Sequence, residues 1–475
     1  MNRTLALLAL PTIATLTAFA TAPRTPQEAE PAQPEELGET MRAIVTESLV
    51  NGRAFQRLTS LCTTAPHRLS GSPGAAAAVE WARQQLEGLP FDEVRLEPVT
   101  VPHWIRGEVE QVSIVAPPRL AGEQFRCLAL GGSVGTPIGG LTAEVLRVGS
   151  FDELRERGRE AAGKIVFFDI PMDPAARDTF AAYGQAVTQR VRGGIEAGKA
   201  GAVGVVIRSV SSVIDDFPHT GTMHYQDGVP QLPAAALSTV GAERLTALLE
   251  SGPVTLRLEL DCESLDPEPS FNVVADYLGR ENPEEVVLVS GHLDGWDVGQ
   301  GAHDDGAGTC HAIEVVSLLA ALDLRPRRTV RVVLYMNEEN GLEGARAYAA
   351  SHADELDRHV LALESDAGGF SPRGFSSNAG AAGLAALQGL CDELAEERGN
   401  ELIQGGGGAD ISQLAPANVP LVGFRPDDER YFAIHHTHAD TLEAVNQREL
   451  LSGAGNIAAL VWAVAERSEP IPRNR

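Results

Sequence analysis

Histidines and acidic residues of the C-terminal half are placed where metal binding or acid–base chemistry could occur. The set comprises His292 with Asp294, Asp304 with Asp305, Glu338 with Glu339, Asp366, and His435 with His436. Imidazole and carboxylate ligands without thiolate suit zinc, manganese or cobalt, whereas calcium prefers oxygen alone. The set therefore predicts a metal site of the first kind.

Each group, taken alone, also has an ordinary structural explanation. A histidine after a strand is commonly a hydrogen-bonded structural residue. Adjacent carboxylates such as Asp304 and Asp305 are common at helix starts, where the macrodipole favours them. Glu338 and Glu339 are harder to explain, because two carboxylates at the mouth of a buried strand are costly unless cations or solvent compensate them. A metal site explains all the groups together if they gather at one edge of one sheet.

The order of the predicted elements supplies such an edge. Apolar runs predict strands at 285–290, 329–336, 359–363 and 419–424, and they alternate with helical patterns at 306–322, 341–351, 379–398 and 448–467. Strands that alternate with helices of this length form an α/β fold with a mostly parallel central sheet and helices on both faces. Because sites in such folds form beyond the carboxyl ends of the strands, the residues that follow these runs are expected to meet there.

The middle of the chain has a different pattern. It contains several β-rich runs, with strands predicted at 141–148, 164–170 and 202–207 and a helix at 185–199. We interpret 108–262 as a small β-rich domain inserted into the α/β domain, which is then built from 37–107 and 263–475. The helices predicted at 40–51 and 73–86 belong to this α/β domain.

The composition and the N-terminal residues of the chain limit its possible partners and its location. The chain has 475 residues and a formal net charge of −27, which disfavours nucleic acid and anionic membranes as partners. Residues 1–20 read as a signal peptide, with Arg3, an apolar stretch too short to span a bilayer and a small-residue cleavage site at 18–20. The Pro/Glu-rich residues 21–36 predict a disordered spacer. We therefore expect an exported protein, periplasmic or extracellular, without a membrane span.

Cysteine usage argues against a thiolate metal site. The cysteines lie far apart and form no Cys-x-x-Cys pair: Cys62, Cys127, Cys262, Cys310 and Cys391. One disulfide stays open as an option after export. For ligation by imidazole and carboxylate in an exported hydrolase, zinc is the metal that fits best.

Longer motifs carry a resemblance to a known family. They are RLSGSPG at 68–74, VGTP at 134–137, SFDEL at 150–154, HTG-x-x-x-YQDGVP at 219–230, SGHLD-x-WDVGQGA from 290 and ESDAG from 364. With them the chain resembles the co-catalytic zinc aminopeptidase superfamily (metallopeptidase family twenty-eight), and within it the plasma glutamate carboxypeptidases, over residues 39–466. The resemblance implies a zinc-exopeptidase domain of the phosphorylase/hydrolase-like fold. It also makes 108–262 similar to a protease-associated domain.

The resemblance implies metal-binding roles for five residues. His292 and Asp366 would bind one zinc ion, and Glu339 and His436 would bind a second. Asp304 would bridge the two ions, with its peptide bond to the next residue in the cis form. Two zinc ions per chain are therefore expected.

The resemblance also implies a mechanism. A water shared by the two ions would attack the peptide carbonyl, and Glu338 would act as general base, taking the proton of this water and delivering it to the leaving amine. Asp294 would orient the imidazole of His292. The substrate pocket would include His435, Asp410 and Gly407.

The sequence leaves the oxyanion donor and the exact substrate open. In some carboxypeptidase relatives a tyrosine immediately precedes the last histidine ligand, and here that position is His435. The resemblance implies short peptides, particularly dipeptides with free termini, but it includes aminopeptidases and carboxypeptidases as well. Relatives of this kind are often homodimers, which the sequence itself neither supports nor excludes.

Three alternative functions compete with this interpretation. Glutaminyl cyclases share the fold but use a single zinc ion, and binding proteins of the transferrin-receptor type share it without a metal. The presence of all five ligands and the base favours the peptidase over both. The GGSVG stretch at 131–135 matches the nucleophile elbow of serine hydrolases, but a Thr-Pro pair follows it where a helix should begin.

Overall fold

The computed structural model describes residues 34–396 and 398–473. The predicted signal peptide at 1–20 and most of the predicted spacer at 21–36 lie outside the described residues. The first helix begins at Pro34, so residues 34–36, assigned from the sequence to a disordered spacer, are helical instead. Within the described ranges, no helix is long and apolar enough to cross a membrane.

Helices and strands alternate along most of the described chain. The helices are α1 (Pro34–Asn51), α2 (Ala54–Thr64), α3 (Pro73–Glu87), α4 (Phe151–Arg157), α5 (Thr179–Ala186), α6 (Thr188–Lys199), α7 (Thr239–Ser251), α8 (Gly308–Ala321), α9 (Glu343–Ser351), α10 (Ala381–Cys391), α11 (Tyr431–Ile434) and α12 (Gln447–Glu466). The strands are β1 (Glu93–Ile105), β2 (Glu110–Ala116), β3 (Gln124–Phe125), β4 (Cys127–Ala129), β5 (Leu141–Val148), β6 (Ile165–Phe168), β7 (Gly204–Arg208), β8 (Ala234–Leu237), β9 (Thr255–Leu260), β10 (Glu263–Tyr277), β11 (Asn282–His292), β12 (Arg328–Tyr335), β13 (His359–Glu364), β14 (Pro372–Ser377), β15 (Glu401–Gln404) and β16 (Leu421–Pro426).

The first sheet has eight strands in the order β1-β10-β12-β11-β13-β16-β14-β15. Its centre, from β12 to β16, is parallel, whereas β1, β10 and β14 form antiparallel pairs. The expected mostly parallel sheet is therefore a mixed sheet with a parallel centre. The strands at this centre are apolar and rich in β-branched residues, as strands buried on both faces usually are.

Both faces of this sheet are covered. Successive residues of a strand point to opposite faces, and in β11 Val287 and Val289 belong to the large core that includes residues of α1, α8 and α12. Val286 and Leu288 belong to a smaller core on the other face, together with residues of α9. The prediction of helices on both faces is confirmed.

The second sheet has eight strands in the order β3-β2-β9-β5-β6-β7-β8-β4, all of them between Glu110 and Leu260. We call residues 108–262 the inserted segment. It also contains helices α4 to α7, so it is mixed α/β rather than β-rich as expected. Strands β1 and β10 pair antiparallel from Glu93 opposite Asp276 to Ile105 opposite Glu263, which brings the two ends of the inserted segment side by side.

Most predicted elements near the candidate ligands are confirmed, with a few differences elsewhere. The helix predicted at 379–398 ends as α10 at Cys391 and is followed by a 3₁₀ turn at Asp392–Leu394. The helix predicted at 185–199 is divided into α5 and α6. Strands β14 and β15 were not predicted, because their short and partly polar sequences, PRGFSS and ELIQ, lack the apolar pattern of a buried strand.

Candidate metal centre

The candidate ligands lie in loops at one edge of the first sheet. His292 is the last residue of β11, Glu339 follows β12 and Asp366 follows β13. Asp304 lies at a kink with non-helical backbone dihedrals just before α8, and His436 follows α11 in the chain segment after β16. Because parallel strands end at the same edge, their loops bring these five side chains together. We call these five residues the ligand cluster.

The ligand cluster has two halves that share Asp304. In the first half, His292 Nε2 lies 3.3 Å from Asp304 Oδ1 and 3.5 Å from Asp366 Oδ1. In the second half, His436 Nε2 lies 3.2 Å from Asp304 Oδ2 and 3.1 Å from Glu339 Oε2. Each carboxylate oxygen of Asp304 therefore faces a different histidine, which is the arrangement of a bridging ligand.

Several ligand atoms of this cluster lack a protein partner. His292 Nε2, Asp304 Oδ2 and Glu339 Oε1 are buried and have no hydrogen-bond partner among the described residues. Buried polar atoms in native proteins are nearly always satisfied. Cations placed among these atoms would satisfy them, and a donor set of nitrogen and oxygen without sulfur is suited to zinc and similar metals. The residues present therefore fit a metal centre.

The charges of the ligand cluster agree with this conclusion. Burial raises the pKa of Glu339 to about 7, and the neighbouring carboxylate of Asp304 adds to the rise. Burial also acts on Asp304, but the imidazoles of His292 and His436, which lie 3.3 Å and 3.2 Å from its oxygens, hold the pKa of this carboxyl well below its usual range. Buried carboxylates ionise readily only when positive charge lies close to them, and metal ions would supply that charge.

Glu338 lies beside the ligand cluster without joining it. Its Oε2 is 4.0 Å from His292 Nε2, and its side chain is 19% exposed. Burial, opposed by His292 and reinforced by Asp366 and Glu339, raises the pKa of Glu338 well above its usual range. Glu338 also lines the cleft, so its carboxylate is accessible to a water beside the ligand cluster, as a general base requires.

The carboxylate of Asp294 accepts hydrogen bonds from the loop that carries Glu338 and Glu339, and it lies farther from His292. The Nδ1 of His292 is 3.1 Å from the backbone oxygen of Asp294 but 3.7 Å from its carboxylate. The carboxylate instead accepts backbone N–H groups of Asn337 (2.7 Å), Glu338 (3.0 Å) and Glu339 (3.3 Å). The predicted pairing of Asp294 with the imidazole of His292 stays a prediction, since both the carbonyl and the carboxylate of Asp294 face Nδ1. The carboxylate has the additional role of fixing the loop that carries the two glutamates.

Two further aspartates hold the backbone of the ligand cluster, and sequence reasoning gave them no role. The carboxylate of Asp305 accepts the backbone N–H of His292 at 3.0 Å. The carboxylate of Asp440 accepts the N–H groups of His303 (2.7 Å) and Asp304 (3.1 Å). The Asp304–Asp305 peptide is cis, as the resemblance implies. The only signal in the sequence for the role of Asp440 was its proximity to the histidines at 435–438.

His435 lies closer to the ligands than a substrate-binding role alone requires. Its Nε2 is 3.5 Å from Asp304 Oδ2, and its ring stacks on that of His436 with centroids 3.5 Å apart. Ligand atoms of Asp304, His435 and His436 all lie within 4.8 Å of one another. His435 also lines the cleft described below, so its predicted contact with substrate is sterically open.

The inserted segment reaches the ligand cluster through His436. The backbone N–H of Thr220 donates to the carbonyl of His436 at 3.0 Å, and His436 Nδ1 lies 3.4 Å from the carbonyl oxygen of Thr220. Arg190 Nη1 is 3.3 Å from this oxygen and from His436 Nδ1. An Nδ1–H that donates to Thr220 leaves Nε2 of His436 free for a metal. Arg190 belongs to no motif named above, and Thr220 belongs to the HTG motif at 219–230, for which the sequence indicated no role.

Gly221 provides the space in which the Arg190 side chain lies. Its φ is +129°, and a Cβ at this position would lie 2.4 Å from Arg190 Cζ. We expect Gly221→Ala to displace the guanidinium, disturb His436 and weaken Zn²⁺ binding by about 10–100-fold, the usual cost of losing a group that orients a metal ligand. Equilibrium dialysis against Zn²⁺ measures this affinity.

Gly228→Ala is the matched control for this prediction. Gly228 also has a positive φ, +78°, but a Cβ there would meet no atom within 4 Å. Its Zn²⁺ affinity should equal that of the wild type. Unchanged affinity in the Gly221 variant would show that the inserted segment does not position His436.

A cleft of about 430 Å³ opens beside the ligand cluster. Its walls come from the loops at the edge of the first sheet and from the inserted segment. They include Asp304, Glu338, Glu339, Asp366, His435 and His436, with Tyr183, Arg190, Thr222 and His224 from the inserted segment. A larger neighbouring cavity of about 1060 Å³ is lined by Asp366 and by the glycines at 405–408. The cleft is thus open to small molecules on the side of the ligand cluster.

The structure separates the two residues predicted from the glycine-rich loop. Gly407 lines the larger cavity, as expected for a pocket residue. Asp410 is only 1% exposed and lines neither cavity. Its backbone N–H donates to Glu364 at 3.3 Å. The predicted contact of Asp410 with substrate is therefore not supported, because the loop turns this carboxylate into the protein.

Neither serine nor thiolate chemistry finds support. Ser133 of the GGSVG stretch is fully buried, and its hydroxyl accepts from the N–H of Ala234 at 2.9 Å and donates to the carbonyl of Val134 at 2.9 Å. It serves as a structural bridge rather than an exposed nucleophile. All five cysteines are unpaired, and none belongs to the ligand cluster.

Comparison with known proteins identifies the family. The profile of Peptidase family M28 matches residues 272–461, which contain the whole ligand cluster. The chain is 38% identical over 446 residues to Carboxypeptidase Q of Mus musculus, and the match covers 93% of this chain and 91% of the relative. The chain therefore belongs to Peptidase family M28 and is a metallopeptidase.

Solved structures have the same fold. A peptidase M28 precursor from Shewanella amazonensis SB2B matches with a TM-score of 0.89 and 33% identity, covering 93% of this chain and 100% of that one. A zinc aminopeptidase from Bacillus subtilis matches with a TM-score of 0.62 and 19% identity, covering 86% of this chain and 94% of that one. The mixed α/β architecture with two multi-stranded sheets is thus that of M28 peptidase structures.

Proposed function

We propose that this metallopeptidase is an exported di-zinc exopeptidase that hydrolyses short peptides, chiefly dipeptides with free termini. The observation that carries the proposal is the shared carboxylate of Asp304, whose two oxygens face His292 and His436. Two sets of donors around one bridging carboxylate favour two ions over one. The names of the similar proteins, a carboxypeptidase Q and a zinc aminopeptidase, support zinc and exopeptidase action. Export rests on residues 1–20 of the sequence.

The assignment of ligands follows the two halves of the cluster. His292 and Asp366 would hold one ion, Glu339 and His436 the other, and Asp304 both. When bound, two zinc ions polarise the peptide carbonyl and make water nucleophilic near neutral pH.

The remaining chemistry belongs to side chains of this protein. Glu338 acts as general base when it takes the proton of the attacking water. It then acts as general acid when it returns this proton to the leaving amine. Its distance of 4.0 Å from His292 Nε2 and its place in the wall of the cleft suit this role. Asp294 keeps Glu338 in place by holding the backbone of its loop. A protease-associated role for the inserted segment is part of the proposal, since it forms one wall of the cleft.

The size of the cleft supports short substrates. Its volume of about 430 Å³ falls in the lower part of the range of about 300–1,000 Å³ typical of small-molecule sites. Because the ligand cluster forms one wall and the inserted segment another, the cleft suits a peptide of a few residues better than an extended protein chain.

The test is a peptide library incubated with the zinc-loaded protein and read out by mass spectrometry. The library pairs dipeptides with longer peptides and includes versions with either terminus blocked. We expect unblocked dipeptides to be cleaved fastest. Release of single residues from the amino end of long peptides at equal rates would replace the dipeptidase assignment by an aminopeptidase. No hydrolysis of any peptide would refute the proposed function.

A further inference from the structure

Tyr431 occupies a position in the cleft that the proposed mechanism does not use. It is the first residue of α11, five residues before His436, and it is only 3% exposed. It lines the cleft together with Asp304, Glu338 and Asp366. A tyrosine so close to the reacting groups deserves a chemical explanation in addition to a packing one.

The ring of Tyr431 is held in one orientation by three neighbours. It stacks on Phe180 of the inserted segment with centroids 5.7 Å apart. It meets Phe432 edge to face at 5.2 Å and His435 at 5.0 Å. Because packing fixes the ring, the direction of its hydroxyl is fixed as well.

The hydroxyl of Tyr431 has no hydrogen-bond partner among the described residues. A buried tyrosine usually bonds its hydroxyl, and Tyr183 of the same cleft does so by accepting from Arg190 Nη2 at 2.7 Å. Unlike His292 Nε2, the Tyr431 oxygen is not a fully buried atom without a partner, and Tyr431 lines the cleft. The oxygen is therefore open to the cleft. Its missing partner is therefore expected to come from a molecule in the cleft.

Tyr431 lies beside the residue shared by the two cluster halves, because its ring lies against His435, whose Nε2 is 3.5 Å from Asp304 Oδ2. Burial, reinforced by the carboxylates of Asp304, Asp366 and Glu339, raises the pKa of Tyr431 well above its usual range. Asp366 belongs to one half, Glu339 to the other and Asp304 to both. Tyr431 thus lines the cleft beside the ligand cluster, and its hydroxyl is a hydrogen-bond donor.

His435, which directly precedes the last ligand, is poorly placed to donate to a substrate carbonyl. Its Nε2 faces Asp304 Oδ2 at 3.5 Å, and its Nδ1 is sealed without a partner. Tyr431 lies four residues earlier, about one helical turn, with its ring against His435. The tyrosine is therefore the better donor of the two.

We propose that Tyr431 is a catalytic residue whose hydroxyl donates a hydrogen bond to the carbonyl oxygen of the scissile peptide as negative charge develops on it. The inference rests on the proposed peptidase function of the cleft. Preorganised donors aimed at developing charge are among the largest contributions to catalysis. This role could not be predicted from the motifs, because the tyrosine is not adjacent to the ligand.

The step balances without a further reagent. The water oxygen bonds to the carbonyl carbon, an electron pair moves onto the carbonyl oxygen, and Glu338 takes the proton of the water. As this pair re-forms the C=O bond, the C–N bond breaks and the amine nitrogen receives the proton from Glu338. Tyr431 keeps its own proton throughout and contributes only the hydrogen bond.

Tyr431→Phe tests the inference, because it removes the hydroxyl and keeps the ring. We expect the turnover number for dipeptides to fall by about 10²-fold, as for other single oxyanion donors, with little change in KM. Zinc content and Tm should stay at wild-type values. Inhibition by a phosphinic dipeptide analogue, which mimics the tetrahedral state, should weaken by about the same factor as turnover, since both report transition-state binding.

Tyr225→Phe is the control for a generic loss of a tyrosine hydroxyl. Tyr225 lies in the inserted segment, and its hydroxyl donates to the carbonyl of Leu232 at 2.8 Å. We expect this variant to turn over dipeptides like the wild type. A Tyr431 variant with full zinc and wild-type turnover would overturn the inference alone. An inactive wild type would refute the proposed function instead, so the two failures are distinguishable.

Discussion

Replacing Glu338 by glutamine is expected to lower the turnover number by at least about 10²–10⁴-fold, the contribution of a general base, while the zinc content stays unchanged. The amide cannot take the proton of the attacking water. It leaves the ligand cluster intact, because Glu338 lies 4.0 Å from His292 Nε2 and is outside both cluster halves. Steady-state kinetics and elemental analysis of the same preparation test both statements.

Glu339→Gln is the matched comparison, since it makes the same chemical change one residue later. Glu339 Oε2 lies 3.1 Å from His436 Nε2, so the amide removes an anionic ligand from the second half of the cluster. We expect one ion to be lost or weakly held. If Glu338→Gln loses zinc and Glu339→Gln retains it, the two roles are reversed. If neither change lowers turnover, catalysis takes place elsewhere.

The second large effect concerns Asp304, whose replacement by alanine is expected to empty both halves of the cluster. Its two oxygens face different histidines, so no other single side chain should affect both ions equally. Asp366→Ala is the control, and this variant should lose only the zinc ion that Asp366 would bind together with His292. We expect the zinc-loaded wild type to hold two ions per chain, the Asp366→Ala variant one ion and the Asp304→Ala variant none. A chelator should abolish the activity of the wild type, and added zinc should restore it. Added zinc should not restore activity in either variant.

The same zinc count separates the proposed function from its alternatives. A single zinc ion in the wild type would favour a cyclase-like enzyme. No zinc, with all ligands intact, would favour a receptor-like binding protein and would remove the basis for catalysis. Equal zinc content in Asp304→Ala and Asp366→Ala would show that Asp304 does not bridge.

The parts of the site that could be predicted from the sequence are the residues at or just after the ends of predicted strands. His292, Glu339 and Asp366 stand at the ends of strongly apolar runs, and such runs become the buried parallel strands β11, β12 and β13. Parallel strands end at a common edge, so residue type and position were sufficient to expect these side chains together. The structure brings them together as predicted, and their roles as ligands await the experiments above.

The parts that could not be predicted depend on contacts between distant segments. Thr220 acts through its backbone, which leaves no trace in residue type. Arg190 lies in α6, for which the sequence predicted a helix but not which of its side chains are buried. The carboxylate of Asp294 serves the loop of Glu338 because the loops after β11 and β12 are adjacent in space, a fact of strand order. The burial of Asp410 could not be predicted, because a glycine-rich loop does not reveal which way its neighbours point.

The contact between Thr220 and His436 makes metal binding and the docking of the second sheet linked equilibria. His436 presents one ring nitrogen to the ligand cluster and the other to the inserted segment, so an ion held there also holds the two sheets together. Such coupling is reciprocal: the free energy by which the ion stabilises docking equals that by which docking strengthens the ion. A peptide that contacts both walls of the cleft should therefore slow zinc release, and a zinc-depleted chain should exchange amide hydrogens fastest where the two sheets meet.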